Sequence, residues 1–217
     1  MGRSSEKRRL RPHLLNKSPP GRSSYVARYP VQLDPPPGLV YREDFLTEAE
    51  ESDVAARLGR LELKTFVMRG VTSRRLVGHF GWDYLYDAWK IAPAPPIPDF
   101  LIPIRARAAR ELDIDPATLE EVLVTRYPPG AGIGWHRDAP MFANPVIGVS
   151  FLSPCVMRFR RQDGASYRAF NITLAPRSLY AFSGEARDTW QHAIPAAPEL
   201  RYSVTFRVVK PGYKRTN

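Results

Sequence analysis

Six short segments of alternating or wholly apolar residues follow Pro116, and this repetition constrains the fold more than any other feature of the chain. The segments are 121–127, 146–152, 155–160, 168–174, 178–183 and 200–209. Each has the length and the apolar pattern of a β-strand. Six such strands in the second half of one chain predict an antiparallel core, which we expect to form a double-sheet jelly roll.

Two helices are expected before these strands. Thr47 and Glu50 match a capping box, and apolar residues recur at helical spacing over residues 48–63. A second helix is predicted over residues 98–112, where apolar side chains again fall on one side. A first strand is expected at 39–45, and short strands or a hairpin over 64–86. The predicted fold class is therefore α+β, a jelly-roll core with flanking N-terminal helices.

The length of 217 residues suits one domain with a tail. The net charge is +10, and residues 1–30 contain eight Lys or Arg against Glu6 alone, so seven of these charges lie near the N-terminus. We expect residues 1–36 to form a basic, disordered tail and residues 37–213 to form the folded domain. The tail could bind a phosphate backbone, or it could serve only to keep the protein in solution.

The cysteine content and the hydropathy indicate the cellular compartment in which the protein is expected. Cys155 is the only cysteine, which excludes an intramolecular disulfide and favours a reducing compartment. No apolar run approaches the ~18 residues of a membrane helix. We expect a cytoplasmic monomer that does not contact membranes and that associates with the nucleoid if the protein is bacterial. An organellar transit peptide is a lesser alternative, because three prolines interrupt the Arg- and Ser-rich start.

A metal site is indicated by His136 and Asp138 together with the distant His192. Residues two apart on a strand point to the same side, so the first two side chains can converge on one ion. Two histidines and one carboxylate form the facial triad that suits non-haem Fe(II) and O₂. The alternatives are that the His-x-Asp pair caps a turn or forms a surface pair, and that His192 is a structural histidine.

Arg201 and Arg207 are six positions apart on a predicted strand and therefore share one side of it. Two cations on one side of a core strand require an anion or an acidic partner between them. A bound dicarboxylate would meet this requirement, because a guanidinium can grip a carboxylate with two hydrogen bonds. The alternative is that both arginines lie on a solvent-exposed surface.

In its order of motifs, the stretch from Val124 to Arg207 resembles the AlkB family of Fe(II)/2-oxoglutarate dioxygenases. The matching motifs are Thr-Arg-Tyr-Pro-Pro-Gly at 125–130, His136-x-Asp138, Ser-Pro-x-x-Met-x-Phe at 153–159, Leu-Tyr-Ala-Phe-Ser-Gly at 179–184, Trp190-x-His192 and Arg-Tyr-Ser-Val-Thr-Phe-Arg at 201–207. About two-fifths of the chain carries the resemblance, and the ordered set is far more specific than any one motif.

The resemblance implies a double-stranded β-helix and an oxidoreductase that uses Fe(II), 2-oxoglutarate and O₂. His136, Asp138 and His192 would hold the iron and form the catalytic centre. The co-substrate would be bound by Arg201 at its distal carboxylate and by Arg207 near its metal-bound end. Tyr127 would contribute a hydroxyl to it, and Thr125 and Ser203 are further candidates for binding it. Family members often have Asn at the position that Thr125 occupies.

The resemblance also implies a nucleic-acid substrate, and we expect oxidative demethylation or dealkylation of bases in DNA, with RNA as a further possibility. Formaldehyde, succinate and CO₂ would be the products. Six residues are candidates for substrate binding: Arg69, Arg74, Arg75, Trp82, Tyr84 and Tyr86. The aromatic members could instead fill the core of the sheet. The alternative functions are a tRNA-modifying hydroxylase, a protein demethylase and a non-catalytic nucleic-acid-binding module. Several repair members carry an acidic residue just after the His-x-Asp pair, whereas this chain continues Ala139-Pro-Met-Phe142.

Overall fold

Two antiparallel sheets face each other in the computed structural model, which describes residues 34–68, 71–85 and 90–214. The strands are β1 Leu39–Arg42, β2 Lys64–Met68, β3 Val71–Phe80, β4 Trp82–Leu85, β5 Lys90–Pro93, β6 Glu121–Tyr127, β7 Ile133–His136, β8 Phe142–Phe151, β9 Cys155–Asp163, β10 Ser166–Leu174, β11 Leu179–Phe182, β12 Gln191–Ile194 and β13 Arg201–Val209. The α-helices are α1 Glu48–Leu58, α2 Ile102–Arg110 and α3 Gly184–Asp188. Short 3₁₀ turns occupy Asp99–Leu101, Pro116–Thr118 and Pro211–Tyr213.

The large sheet has seven strands in the order β1-β11-β8-β13-β6-β3-β2, and the small sheet has four in the order β10-β9-β12-β7. Strands β4 and β5 form a separate two-stranded hairpin. All neighbouring strands of both sheets are antiparallel, and apart from the hairpins β2–β3 and β9–β10 they are not consecutive in the chain, as in a double-stranded β-helix. The jelly-roll prediction is therefore confirmed.

Alternation along the central strands divides the core in two. Outward-facing residues of the large sheet, among them Val122, Val124 and Phe206, pack with Leu58 of α1 and Ile104 of α2. The opposite side of the same strands faces the small sheet, whose inner surface includes Phe159 and Ile194. The helices thus cover the outside of the large sheet, and the space between the sheets is left for the polar side chains of the site.

Both predicted helices are shorter than expected. α1 begins with the predicted capping box, in which the Glu50 amide donates to Thr47 Oγ1 and the Glu50 carboxylate accepts from the Thr47 amide. It ends at Leu58 rather than at residue 63 because Gly59, a weak helix former, occupies the C-cap. α2 begins at Ile102 rather than at residue 98, since Pro103 lacks an amide proton and fits only the first turn. β1 ends at Arg42 instead of residue 45, and Asp44 turns the chain with φ of 49°.

The predicted hairpin over residues 64–86 is present as β2 and β3, followed by β4. Strands β7 and β12, which have four residues each, lie outside the six predicted segments. Most of the predicted basic tail, residues 1–33, lies outside the described residues, as do Arg69 and Tyr86. In the part of the chain that is described, no helix is both long and apolar enough to cross a membrane.

Candidate metal and co-substrate site

The two histidines meet at the edge of the small sheet. β7 and β12 pair antiparallel, and His136 lies directly opposite His192. The centroids of the two imidazole rings are 4.2 Å apart. Directly opposed residues project to the same side of a sheet, so the pairing of two short strands brings together residues that are distant in the chain.

Asp138 reaches this place from a loop. β7 ends at His136, so the expectation that both residues lie on a strand holds for the histidine alone. The Asp138 Oδ2 atom is buried and has no hydrogen-bond partner in the described residues. Burial acts to raise the pKa of this carboxyl, but the neighbouring His192, Arg207, His136 and Arg187 outweigh it, and the pKa is lowered. The carboxyl is therefore an anion at neutral pH with an unused acceptor atom.

Both histidines are held in the form that binds metals. Nδ1 of His136 is 2.8 Å from the carbonyl oxygen of Gly134. A carbonyl only accepts, so Nδ1 carries the proton and Nε2 keeps its lone pair. Burial lowers the pKa of His136. Burial, reinforced by the nearby His136, lowers the pKa of His192 to about 3. Neither imidazole is protonated near pH 7, as coordination requires.

His136, Asp138 and His192 do not form a complete metal site as they are arranged in the structure. Within residues 34–68, 71–85 and 90–214, no group of three His, Cys, Asp or Glu side chains is arranged so that it could hold a metal ion. The donor set still fits Fe(II), since it offers two neutral imidazoles and one unpartnered carboxylate oxygen. Asp138 lies outside the sheet, so its approach to a cation would break no strand pairing.

Arg201 is a buried cation with unused donors. Its side chain is fully buried on β13, and Nη2 donates to Oγ of Ser150 at 3.1 Å. Its guanidinium lies over the ring of Tyr127, 4.6 Å from the centroid. The Nε and Nη1 atoms have no hydrogen-bond partner among the described residues. A buried guanidinium with unused donors fits an anionic ligand such as the distal carboxylate of 2-oxoglutarate.

Arg207 is placed differently. It is buried on the same side of β13, and its Nε lies 3.2 Å from Oε2 of the fully buried Glu121. The other carboxylate oxygen of Glu121 accepts from Nδ1 of His79 at 2.9 Å. Both arginines are buried rather than on the surface, and among the described residues Arg207 has an acidic partner while Arg201 has none. Glu121 was not among the predicted site residues. Its even spacing from Thr125 on an apolar strand does place both side chains on the same side of that strand.

The predicted hydroxyl residues lie beside Arg201. Tyr127 is directly opposite Arg201 in the β6–β13 pair, and Thr125 is directly opposite Ser203. All three hydroxyl side chains belong to buried residues on the side of the large sheet that faces the small sheet. Tyr127 therefore lies against the buried guanidinium, and Thr125 and Ser203 form the next pair on the same side of the same two strands.

Tyr180 adds a further hydroxyl on this side of the large sheet and was not predicted. Its hydroxyl lies 2.9 Å from Ser203 Oγ, and burial raises the pKa of the phenol to about 12, so it remains neutral. The ring occupies space that Gly148 leaves open, because a Cβ on Gly148 would lie only 2.1 Å from the Tyr180 ring. The glycine is thus required by the close approach of this side chain.

Arg187 on α3 holds the loop that carries Asp138. Its Nη2 donates to the carbonyl oxygens of Ala139 at 3.0 Å and Phe142 at 3.1 Å. Met141 and Phe142 are buried, and the guanidinium of Arg207 lies 4.4 Å from the Phe142 ring centroid. The segment that lacks a base-reading acid is therefore a packed part of the site, and no motif in the sequence predicted the Arg187 contact.

Four of the six predicted substrate-binding residues are described, and they divide into two pairs. Arg74 is exposed beside Gly130, while Arg75 is buried with its guanidinium 5.9 Å from the Tyr127 ring centroid. Tyr84 is buried edge-on against Phe142, with 6.4 Å between ring centroids, and Trp82 packs against the same small cluster. Arg75 and Tyr84 therefore lie inside the protein near the site, whereas Arg74 is accessible from solvent.

Comparison with known proteins indicates the family to which the chain belongs. The 2OG-Fe(II) oxygenase superfamily matches residues 38–207. An "Alkylated DNA repair protein ALKBH8 homolog" of Arabidopsis thaliana is 29% identical over 182 residues, covering 73% of this chain and 51% of the plant protein. The "tRNA (carboxymethyluridine(34)-5-O)-methyltransferase alkbh8" of Xenopus tropicalis is 28% identical over 166 residues, covering 73% of this chain and 25% of the frog protein. The chain thus spans about half or less of these two relatives.

A solved structure supports the fold. The structure described as "The structure of OsALKBH1" superimposes with a TM-score of 0.64 at 17% identity, covering 82% of this chain and all of that chain. The matched sequence region and the jelly-roll topology agree with each other, and the matched region includes His136, Asp138, His192 and Arg201. The chain belongs to the AlkB family of 2OG-Fe(II) oxygenases, which are dioxygenases that use Fe(II), 2-oxoglutarate and O₂.

Proposed function

We propose that this dioxygenase removes alkyl groups from bases in DNA or RNA. The observation that carries the proposal is the combination of the oxygenase site with a net charge of +10, most of it in residues 1–30. An excess of this sign and size suits a polyanionic substrate. Two relatives are named for alkylated DNA repair and for tRNA modification, which supports nucleic acid as the substrate class.

Each part of the site has a separate task. Fe(II) with 2-oxoglutarate and O₂ supplies the oxidation of a C–H bond, and a hydroxylated N-methyl group then leaves as formaldehyde. Arg201 would hold the distal carboxylate of the co-substrate, with the Tyr127 and Tyr180 hydroxyls beside it. Because Arg201 is buried, water is excluded from its ion pair with that carboxylate, which strengthens the electrostatic attraction. Glu121 keeps the Arg207 guanidinium in place next to the metal ligands.

The described residues support a base-sized substrate near the iron. The half-buried Trp82, which packs against Tyr84 and Phe142, offers aromatic surface, and Arg75 is a cation near enough to act on the charge of His136. A base that enters the site must leave its stack, and aromatic side chains compensate for the stacking that it loses. Arg74, which is exposed, is suited to a phosphate flanking that base.

A tRNA-modifying hydroxylase is the second candidate. It is favoured by the buried Met141 and Phe142, which stand where several repair enzymes carry a base-reading acid. A protein demethylase would use the same iron chemistry on another substrate. A non-catalytic nucleic-acid-binding module would retain its function after His136→Ala, whereas the proposed enzyme would lose it.

One substrate screen separates these functions. The protein is incubated with Fe(II), 2-oxoglutarate and O₂ and with methylated single-stranded DNA, duplex DNA, tRNA or a methylated protein, and formaldehyde and the remaining methyl groups are measured. His136→Ala is the inactive control. We expect loss of methyl groups from at least one nucleic acid. Turnover of 2-oxoglutarate by the wild type with no methyl loss from any nucleic acid would contradict the proposal.

A further inference from the structure

The outer side of the small sheet carries a cluster of aromatic and cationic side chains that the site does not use. Strands β7, β12, β9 and β10 contribute their outward-facing positions to it. Because side chains alternate along a strand, Trp135 faces outward while its neighbour His136 faces the metal site. Arg158, Arg160 and Tyr167 share this outer side, since Arg160 and Tyr167 alternate with the inward-facing Phe159 and Phe170.

Arg160 joins two of these aromatic rings. Its guanidinium carbon lies 4.4 Å from the centroid of the Trp135 ring and 4.7 Å from that of Tyr167. Its Nε donates to Oε1 of Gln191 at 2.8 Å, which fixes the guanidinium on the sheet. Arginine against an aromatic face is a favourable pairing, and here it orients both rings before any partner arrives.

Both rings remain accessible. Trp135 is 36% exposed and Tyr167 is 56% exposed, although one face of each ring is covered by Arg160. The exposure therefore comes from the edges and the opposite faces. Beside Trp135 lies a shallow cavity of about 330 Å³, bordered by Gly132, Arg158 and Pro195. A planar group could enter this cavity alongside the indole.

The charge on this side is of one sign. The outward positions of the four strands include Arg158 and Arg160 but no Asp or Glu, the remaining polar ones being Gln162, Gln191, Asn171 and Thr173. The Arg158 side chain is exposed, and it forms none of the side-chain hydrogen bonds or ion pairs seen among the described residues. The surface thus offers cations for phosphates and ring faces for bases, the combination that single-stranded nucleic acids require.

We propose that this outer side of the small sheet, formed by Trp135, Arg158, Arg160 and Tyr167, binds a single-stranded segment of the substrate nucleic acid. The inference rests on the proposed function for the identity of the substrate. A duplex hides its base faces within the stack, so exposed rings select unpaired nucleotides. The segment would lie behind the metal site, which places it some nucleotides away from the base that reacts.

The test measures binding by fluorescence anisotropy with the full chain and three labelled 15-mers of unmodified sequence: single-stranded RNA, an abasic strand and a duplex. Tyr167→Ser removes one ring from an edge strand, and Arg158→Gln removes one exposed cation. The matched controls are Tyr213→Ser, a tyrosine 40% exposed elsewhere on the molecule, and Arg110→Gln, an exposed arginine at the end of α2. Near-UV circular dichroism confirms that each variant is folded.

Tyr167→Ser should weaken binding of the single-stranded RNA at least about fivefold, since a base–aromatic stack contributes about 1–3 kcal/mol. It should leave binding of the abasic strand unchanged. Arg158→Gln should weaken both strands and reduce the slope of log affinity against log salt by about one. Binding by both variants within about twofold of wild type, or an equal loss in the two controls, would overturn the proposal.

A loss in Arg158→Gln alone, with Tyr167→Ser binding as wild type, would also overturn it, because an anionic partner without bases would then suffice. The outcome is separate from that of the substrate screen. If no nucleic acid loses methyl groups but the variants show the expected binding changes, the proposed function is refuted and the proposed binding surface stands. If a nucleic acid loses methyl groups but both variants bind as the wild type does, the proposed function stands and the binding surface is refuted.

Discussion

Arg207 and Glu121 form a buried ion pair across β13 and β6, with 3.2 Å between Nε and Oε2. Both side chains are almost completely shielded from solvent, and the two residues are directly opposed in the strand register. The pair places a fixed cation next to Asp138 and the two histidines, all of which respond to its charge. The electrostatics of the metal site therefore depend on a carboxylate that lies on a neighbouring strand.

Glu121→Gln should destabilise the protein by about 3–5 kcal/mol, because it leaves the Arg207 cation buried without its counter-charge. Urea unfolding followed by circular dichroism measures this loss. The control is Glu120→Gln, since the adjacent Glu120 pairs with Lys214 at the surface and should contribute less than about 1 kcal/mol. Equal costs for the two variants would show that the buried pair has no special role.

Arg201→Met should reduce 2-oxoglutarate affinity about 100-fold, as expected for losing a charge-assisted pair of hydrogen bonds. The free energy of unfolding of the metal-free protein should not fall, because the substitution removes a buried cation that has no acidic partner in the part of the chain that is described. Calorimetric titration of the Mn(II)-loaded protein measures the affinity, and urea unfolding measures the stability. Arg126→Met, an exposed position on β6, is the matched control. An affinity unchanged by Arg201→Met would place the co-substrate elsewhere.

The sequence predicted the core strands because they are long enough for their apolar alternation to be visible. Strands β7 and β12 were not among the six predicted segments, for the opposite reason. Four residues such as Ile133–His136 contain too few alternations to distinguish a strand from a loop. Their existence depends on pairing with each other and with β9, which is decided by the tertiary fold.

The candidate ligands could be found from the sequence because the chemistry of iron restricts residue type and spacing. Arg187, Tyr180 and Glu121 could not be found in the same way. The contact of Arg187 with Phe142 depends on where α3 lies, and that of Tyr180 with Ser203 depends on the register of β11 against β8. Supporting residues are chosen by three-dimensional proximity, which a single sequence records only where a family motif happens to include them.

The metal-free protein should lose stability as the pH falls from about 6.5 to 4.5. The pKa of His192 is lowered to about 3 in the folded state. Between pH 6.5 and 4.5 this imidazole therefore becomes protonated in the unfolded chain but stays neutral in the folded protein, which favours unfolding. His136 acts in the same direction. The lowered pKa of Asp138 stays below this window, so its carboxyl remains ionised in the folded protein throughout. Urea midpoints measured at pH 7.0, 6.0, 5.0 and 4.5, roughly spanning the ordinary histidine pKa, test the prediction.

In the same series His192→Gln should show a smaller decline, since one of the two buried imidazoles is gone. A decline as steep as that of the wild type would show that His192 is not the group responsible. Excess Mn(II) should flatten the upper part of the wild-type curve, because a bound metal competes with protons for the imidazoles and stabilises the folded state.

Arg187→Ala should weaken Fe(II) or Mn(II) binding by about 10–100-fold without removing any ligand, as expected for a group that orients a ligand through hydrogen bonds. The guanidinium donates to the carbonyls of Ala139 and Phe142 and so fixes the loop that begins at Asp138. Metal affinity is measured by quenching of tryptophan fluorescence. Arg187→Lys should recover only part of it, because the shorter lysine side chain ends before the position of the Nη2 atom that donates to both carbonyls. Arg110→Ala, on the exposed end of α2, serves as the control. Unchanged affinity in Arg187→Ala would mean that the buried Met141 and Phe142 alone are enough to hold Asp138 in place.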